Sequence, residues 1–205
     1  APIVWHTGEL AVEDVVVIPP TSDALQNVPG LNTMVRNLLT TPSSKNFICE
    51  RHDENLPRFV ILHRTKSRNV LNIESLLRDL RQRHSGMSFV DVEADSIEEL
   101  SIDECACLLA NSCGILGGHG GQLTNMIFLP PGSAVVEIIA PGQKGRVYAP
   151  LAKSLDLQYL GSEAFTKKVD AANHHHGDVI IENVTALSVA ISKLLKKTNC
   201  IAKDT

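Results

Sequence analysis

Hydrophobic positions along the chain fall into two patterns: short unbroken runs, and spacings of three and four. Val15–Ile18 is an unbroken run ended by Pro19-Pro20 and predicts a strand. Arg58–His63 holds four consecutive apolar residues, as strands buried on both faces of a parallel sheet do. Met87–Val92, Cys113–Leu116, Ala134–Ile139 and Leu157–Leu160 continue the series. The other pattern predicts helices. Leu31–Leu39 gathers Leu31, Val35, Leu38 and Leu39 on one face. Asn72 stands as N-cap before Ile73, Leu76, Leu77 and Leu80, and Gly86 closes that segment. Ser101-Ile102-Asp103-Glu104 is a capping box, with Leu100 and Cys105 at the staple positions, opening a helix to about Asn111. Gln122–Leu129 predicts a short helix stopped by Pro130-Pro131-Gly132, Val147–Leu155 another, and Val184, Leu187, Ile191, Leu194 and Leu195 mark a last one. Thr40–Pro57 and Ser162–Asp178 are polar and predict loops, the second a flexible one over 161–178.

Strands alternating with helices imply an α/β fold: a Rossmann-like parallel sheet with helices on both faces, joined by right-handed crossovers. Such sheets bind ligands at the carboxyl ends of their strands. Arg64, Glu93 and Gly117–Gly121 each follow a predicted strand, so they fall on one rim. A length of 205 residues suits one domain with a substantial core, taken here as 1–205. The net charge of −4 supplies no global field toward nucleic acid, which leaves room only for a local cationic pocket. No apolar run has the length of a membrane span. The chain starts Ala1-Pro2-Ile3, without methionine or a signal-like charged start, and reads as a segment of a longer protein whose membrane anchor, if any, lies elsewhere. The five cysteines are odd in number; Cys105, Cys107 and Cys113 fall in apolar stretches and are expected as reduced structural thiols. One glycosylation sequon, Asn183-Val184-Thr185, is present.

The densest chemistry is Gly117-Gly118-His119-Gly120-Gly121-Gln122-Leu123-Thr124-Asn125, which follows a strand and opens a helix. Glycines let the backbone turn tightly and approach a ligand. The first N–H groups of the following helix carry partial positive charge and suit a diphosphate. His119 adds a hydrogen-bond donor, and Thr124 and Asn125 sit where they either cap the helix or bond phosphate. The string is neither a Walker loop, lacking Gly-Lys-Ser/Thr, nor the dinucleotide fingerprint, whose glycine spacing differs. Its bland alternative is a tight turn with His119 capping. Arg64, Lys66 and Arg68 place three cations within five residues at the same rim, and arginine forks match phosphate oxygens. Arg64 is favoured for phosphate because it follows the strand directly; Arg68 serves equally as a partner for Glu74 or Glu137. Glu137, at the end of a buried strand, is assigned either to a ribose hydroxyl or to Arg64 or Arg68. Asp91, Glu93 and Asp95 surround a strand end, as solvated acids or as a frame for the base. His174-His175-His176 is read as a surface loop, because three consecutive side chains do not converge on one ion.

Taken together, Arg64, Arg68 and Asn72; Asp103-Glu104; Gly117 to Asn125; Phe128 to Gly132; and Val135-Val136-Glu137-Ile138 resemble, in order and spacing, the C-terminal lobe of glycosyltransferase family 61. The family's pattern runs R-x-x-x-R-x-x-x-N, then G-x-H-G-A-x-L-T-N, and the likeness covers about Val15 to Ile139. Gly121 stands where the family usually has alanine, and Glu104 where glutamine is common. The resemblance implies the two-lobed GT-B architecture and inverting transfer of a sugar from a nucleotide diphosphate sugar to a glycan or protein hydroxyl. It implies a uridine diphosphate donor, with guanosine diphosphate as the alternative, and no metal or other cofactor. It also implies a general base on an N-terminal lobe or neighbouring domain, and the lumen of the endoplasmic reticulum or Golgi, with the cytoplasm as the alternative compartment. The donor site it marks comprises Arg64, Arg68, Gly117, Gly118, His119, Gly120, Gly121, Gln122, Leu123, Thr124, Asn125 and Glu137. A non-catalytic nucleotide- or glycan-binding module of the same fold is the competing reading.

Overall fold

A computed structural model describes residues 56–65, 68–93, 102–142, 147–169 and 177–198. The expected strand Val15–Ile18, helix Leu31–Leu39, nearly all of the loop Thr40–Pro57, Lys66, Asp95, Ser101 of the capping box and His174–His176 lie outside them. The elements run β1 (Arg58–His63), α1 (Ile73–Arg83), β2 (Ser88–Glu93), α2 (Ile102–Ala110), β3 (Ser112–Gly118), a 3-10 segment (Gly121–Phe128), β4 (Ala134–Ile138), α3 (Tyr148–Ser154) and β5 (Gln158–Gly161). A short 3-10 turn (Glu163–Phe165), β6 (Thr166–Lys168), β7 (Val179–Ile181) and α4 (Val184–Leu195) follow.

The five long strands pair in parallel in the order β2-β1-β3-β4-β5. From β1 the chain moves outward to β2, then returns across β1 to β3 and continues to β4 and β5. Right-handed crossovers in opposite directions put their helices on opposite faces. On one face α1 and α4 cover Phe59, Ile61, Leu116, Val136 and Ile138 with Leu76, Leu77, Leu80, Leu187 and Ile191. On the other, α2, the 3-10 segment and α3 cover Val60, Leu62, Ile115 and Val135 with Leu109, Leu123, Met126 and Leu151. Each such side chain, fully buried, contributes about 1.5–3 kcal/mol by leaving water. The unbroken apolar runs follow from this double cover: a strand with helices on both sides has no face for polar residues.

β1 and β2 pair in steady register, but between β1 and β3 the register shifts once. Arg58 faces Ser112, then Phe59 faces Gly114, and Leu62 comes to face Gly117. At the shift the backbones crowd: a Cβ on Gly114 would lie 2.4 Å from the Phe59 ring and 2.6 Å from the Ala134 carbonyl oxygen.

Four expectations change. The segment after Gly120 is a 3-10 helix rather than α, its short GQLTNMIF stretch tightened between the glycine turn and Pro130. Asn72 precedes α1 without capping it; its side-chain amide pairs with the backbone of Ile181, donating to O at 2.8 Å and accepting from N at 2.9 Å. The span 161–178, expected as a flexible loop, contains the 3-10 turn and β6, which pairs antiparallel with β7. Its inward hydroxyls explain the order: Thr166 Oγ1 donates to Ile139 O and Ser162 Oγ accepts from Ile139 N. Finally, Cys105 and Cys113 are buried thiols as expected, but Cys107 is disulfide-bonded. Two positions along α2 turn Cys107 away from the core that holds Cys105, leaving it half-buried. Burial pushes the Cys105 thiol up to about 11. Among the described residues no helix is long and apolar enough to cross a membrane.

Candidate functional site

In a sheet ordered 2-1-3-4-5 the connections leave β1 and β3 in opposite directions, which opens a crevice at their carboxyl ends. The register places Leu62 beside Gly117, so Arg64 emerges alongside the glycine turn. Its Nη1 donates to Gln122 Oε1 at 2.8 Å. Gln122 is 8% exposed, so its neutral amide fixes the guanidinium without cancelling its charge. Among the described residues no carboxylate pairs with Arg64, and its buried Nε has no partner. The Arg68 Nη1 donates to the His119 carbonyl oxygen at 3.2 Å. Arg68 itself lies in the left-handed region, φ 56°, a conformation that costs an L-residue about 1–2 kcal/mol.

The glycines are not equivalent. A Cβ at Gly120 would lie 2.8 Å from Arg64 Nη1 and 3.1 Å from Gln122 Oε1, so a side chain there displaces the arginine. At Gly121 nothing lies within 4 Å, so alanine fits. The Gly120 carbonyl is held by Tyr148, whose hydroxyl donates to it at 2.6 Å. Burial, above all, raises the Tyr148 phenol from its usual range, opposed by the Thr124 hydroxyl, so it remains a donor. Leu123 does not face a ligand: its side chain is fully buried and its N–H is bonded to Gly120 O at 3.1 Å. Thr124 is exposed and Asn125 half-buried. In a helix of either kind the first N–H groups lack an intrahelical partner, so the start of the 3-10 segment points donors toward the crevice.

His119 is anchored at both ends. Its backbone N–H donates to Ile138 O at 2.9 Å, and its ring packs edge-on against Tyr148, 5.6 Å between centroids. Nδ1 is bonded to Glu137 Oε1, and the Tyr159 hydroxyl donates to Glu137 Oε2. Glu137 is 0% exposed, with both oxygens taken. It therefore lies under the crevice rather than at its rim, and its partner is neither a ribose nor Arg64 but the histidine of the glycine string. Nε2 of His119 has no partner among the described residues, which makes it the ring atom available to a ligand. Asp91 and Glu93, placed at the β2 end by the sequence, tie the β1 exit down: His63 Nδ1 meets Asp91 Oδ1 and Thr65 Oγ1 donates to Glu93 Oε1, each at 2.6 Å. Among the described residues no three His, Cys, Asp or Glu side chains are grouped to hold a metal ion.

The sequence left out Tyr148 and Tyr159. Tyr159 had a signal: it pairs with Val135 and so shares a sheet face with Glu137, two residues on. Gly161 leaves it room, since a Cβ there would lie 3.2 Å from the Tyr159 hydroxyl. Tyr148 carried no local signal, because its reach to Gly120 depends on how α3 docks.

The fold and this crevice define a doubly wound α/β domain with a cationic, glycine-walled pocket at its switch point. Residues 4–136 match the family model for Glycosyltransferase 61, and the chain belongs to that family. It is similar to protein O-linked-mannose beta-1,4-N-acetylglucosaminyltransferase 2 of Danio rerio, 36% identical over 102 residues, which cover 47% of this chain and 17% of that protein. It is also similar to the beta-1,2-xylosyltransferase XAX1 of Oryza sativa subsp. japonica, 27% identical over 127 residues, 58% of this chain and 21% of the relative. The matches thus span about a fifth of the length of these relatives. Among solved structures, the lysine decarboxylase LdcF of Francisella novicida superposes with a TM-score of 0.38 at 13% identity, over 69% of this chain and 18% of that one, and nothing is drawn from it.

Proposed function

We propose that this chain is the nucleotide-sugar-binding lobe of an inverting, GT-B-type glycosyltransferase. The observation that carries the reading is Arg64: a half-buried cation with no carboxylate partner among the described residues, held by a neutral amide against a glycine wall at the switch point. The diphosphate lies along Gly117–Gly121 and the first N–H groups of the 3-10 segment, with Arg64 on one side and His119 Nε2 on the other. Arg68 holds the His119 carbonyl, Tyr148 holds that of Gly120, and Glu137 orients the imidazole. With Nδ1 bonded to Glu137, Nε2 is the ring atom turned to the phosphate.

In the reaction an acceptor hydroxyl oxygen attacks C1 of the sugar while the bond from C1 to the diphosphate breaks. The diphosphate leaves with the electron pair, and the acceptor's proton passes to a base on another lobe of the same polypeptide. One displacement inverts C1. The contribution of these residues is to stabilise the charge that develops on the departing phosphate, which fixed donors do without reorganising. Arg64 and the backbone donors supply that charge without a metal ion. Uridine diphosphate is the favoured donor nucleotide, with guanosine diphosphate second, and a glycan or glycoprotein hydroxyl the acceptor. The names of the relatives, an N-acetylglucosaminyltransferase and a xylosyltransferase, support the class.

A thermal-shift series of nucleoside diphosphates and nucleotide sugars on the full-length protein tests this. A diphosphate at a hundredfold its Kd is expected to add about 2.7 kcal/mol of stability. Arg64→Ala is expected to abolish that gain while circular dichroism stays unchanged. No stabilisation by any nucleotide would sink the reading; binding without sugar transfer would make the domain a non-catalytic module.

A further inference from the structure

We propose that Asn183 carries an N-linked glycan. The inference stands apart from the donor site. Asn183-Val184-Thr185 is a sequon, and the structure shows its side chains in a state that accepts modification. Asn183 and Thr185 are both exposed. Asn183 is the N-cap of α4, and its Oδ1 accepts from Ala186 N at 2.9 Å. That bond uses the oxygen of the amide and leaves Nδ2 without a partner among the described residues. The adjoining surface is polar: exposed Glu182 pairs loosely with exposed Lys167, at 3.9 Å. A sugar leaving Nδ2 therefore meets neither core nor a neighbouring bond.

The chemistry respects the cap. Nδ2 forms a bond to C1 of an oligosaccharide delivered on a lipid-linked diphosphate. The bond between that C1 and the diphosphate oxygen breaks, the diphosphate leaves with the electron pair, and the amide gives up one proton. Oδ1 and the remaining N–H are unchanged, so Oδ1 continues to accept from Ala186. Cys107 supports the proposal independently, since that transfer belongs to an oxidising lumen. Its disulfide persists where the environment is oxidising and is rare where glutathione keeps thiols reduced. Two features on different elements, one on α2 and one at the start of α4, thus agree.

The test uses the full-length protein recovered from cells that express it natively. Peptide mapping is expected to show Asn183 glycosylated, with peptide-N-glycosidase leaving aspartate there, and Cys107 alkylated only after reduction. Asn183→Asp is expected to lose the glycan yet fold normally, because aspartate caps helices as well as asparagine does. Thr185→Ser is expected to retain the glycan and Thr185→Ala to lose it. A bare Asn183 in the recovered protein overturns the proposal. With Cys107 oxidised, that result means the sequon is skipped; with Cys107 reduced, it means the protein never enters the lumen.

Discussion

At the residue scale, the site depends on which glycine is which. Gly120 and Gly121 look interchangeable in the sequence, yet only Gly120 has Arg64 and Gln122 where its Cβ would be. Gly120→Ala is expected to weaken nucleotide binding at least tenfold in calorimetry, by pushing the guanidinium out of place. Gly121→Ala is expected to bind normally and to gain about 0.4–1 kcal/mol in denaturant unfolding, because alanine narrows the unfolded ensemble. Equal effects at the two positions would contradict this geometry. Glu137 offers a second test. Its carboxylate is fully buried and holds His119 and Tyr159 at once. Glu137→Gln keeps the shape but replaces a carboxylate acceptor with a neutral amide, and a bond to a charged group contributes about 1.5–3 kcal/mol against about 0.5–1.5 kcal/mol for a neutral one. Transfer by the full-length enzyme is expected to fall roughly 10- to 100-fold in kcat, with a smaller change in KM. A purely structural Glu137 would instead lower Tm and leave the kcat of the folded fraction intact.

At the scale of elements, α1 and α4 lie side by side on one face and meet through His84 and Ser192, 2.8 Å apart. Burial, first, and then Arg83 and Lys196 lower the His84 pKa from its ordinary 6.5, and Phe89 packs nearby. A depressed histidine stabilises the fold in its neutral form. That stability is complete above about pH 6.5 and is lost as pH falls from there toward the lowered value. Melting temperature, followed from neutral to about pH 5, is expected to drop with a component that His84→Gln removes. An unchanged pH profile in the variant would exclude the contact as its source. The same two helices show what a sequence makes legible. Their three-and-four spacing marks Leu76, Leu77, Leu80, Leu187 and Ile191, and all are buried. Strand β1 is likewise readable, because burial on both faces leaves an apolar run with no interruption. Asn72 reads as a cap because capping is a local rule, whereas its partner is Ile181, more than a hundred residues away. Strands β6 and β7 are short, and β6 is polar, so their pairing left no periodicity to read. The candidate site divides the same way: the glycines and Arg64 announce themselves by type, while Tyr148 reaches Gly120 only through tertiary packing.

At the scale of the molecule, a chain of net charge −4 still brings two cations, Arg64 and Arg68, to one point beside the glycine turn. Sheet order decides where that point lies, since the two connections that diverge from β1 and β3 leave a gap between them. The gap is lined by loops but indexed from the opposite ends of the strands. There the pairing of β1 with β3 skips one residue, between Ser112 and Gly114. Without that skip Leu62 would stand beside Leu116, and each residue of β3 would be displaced by one place, about 3.3 Å. The two buried faces of β3 would exchange their side chains, as any one-residue slip requires. Gly120 would then no longer be the residue beneath Arg64. The spare residue at the strand's entrance thus takes up the mismatch at the amino end of β3 and keeps it out of the pocket. Deleting Cys113 would set Ser112 and Gly114 in succession opposite Arg58 and Phe59 with Leu62 still beside Gly117, so the cost would fall on the turn from α2 and leave the pocket in place.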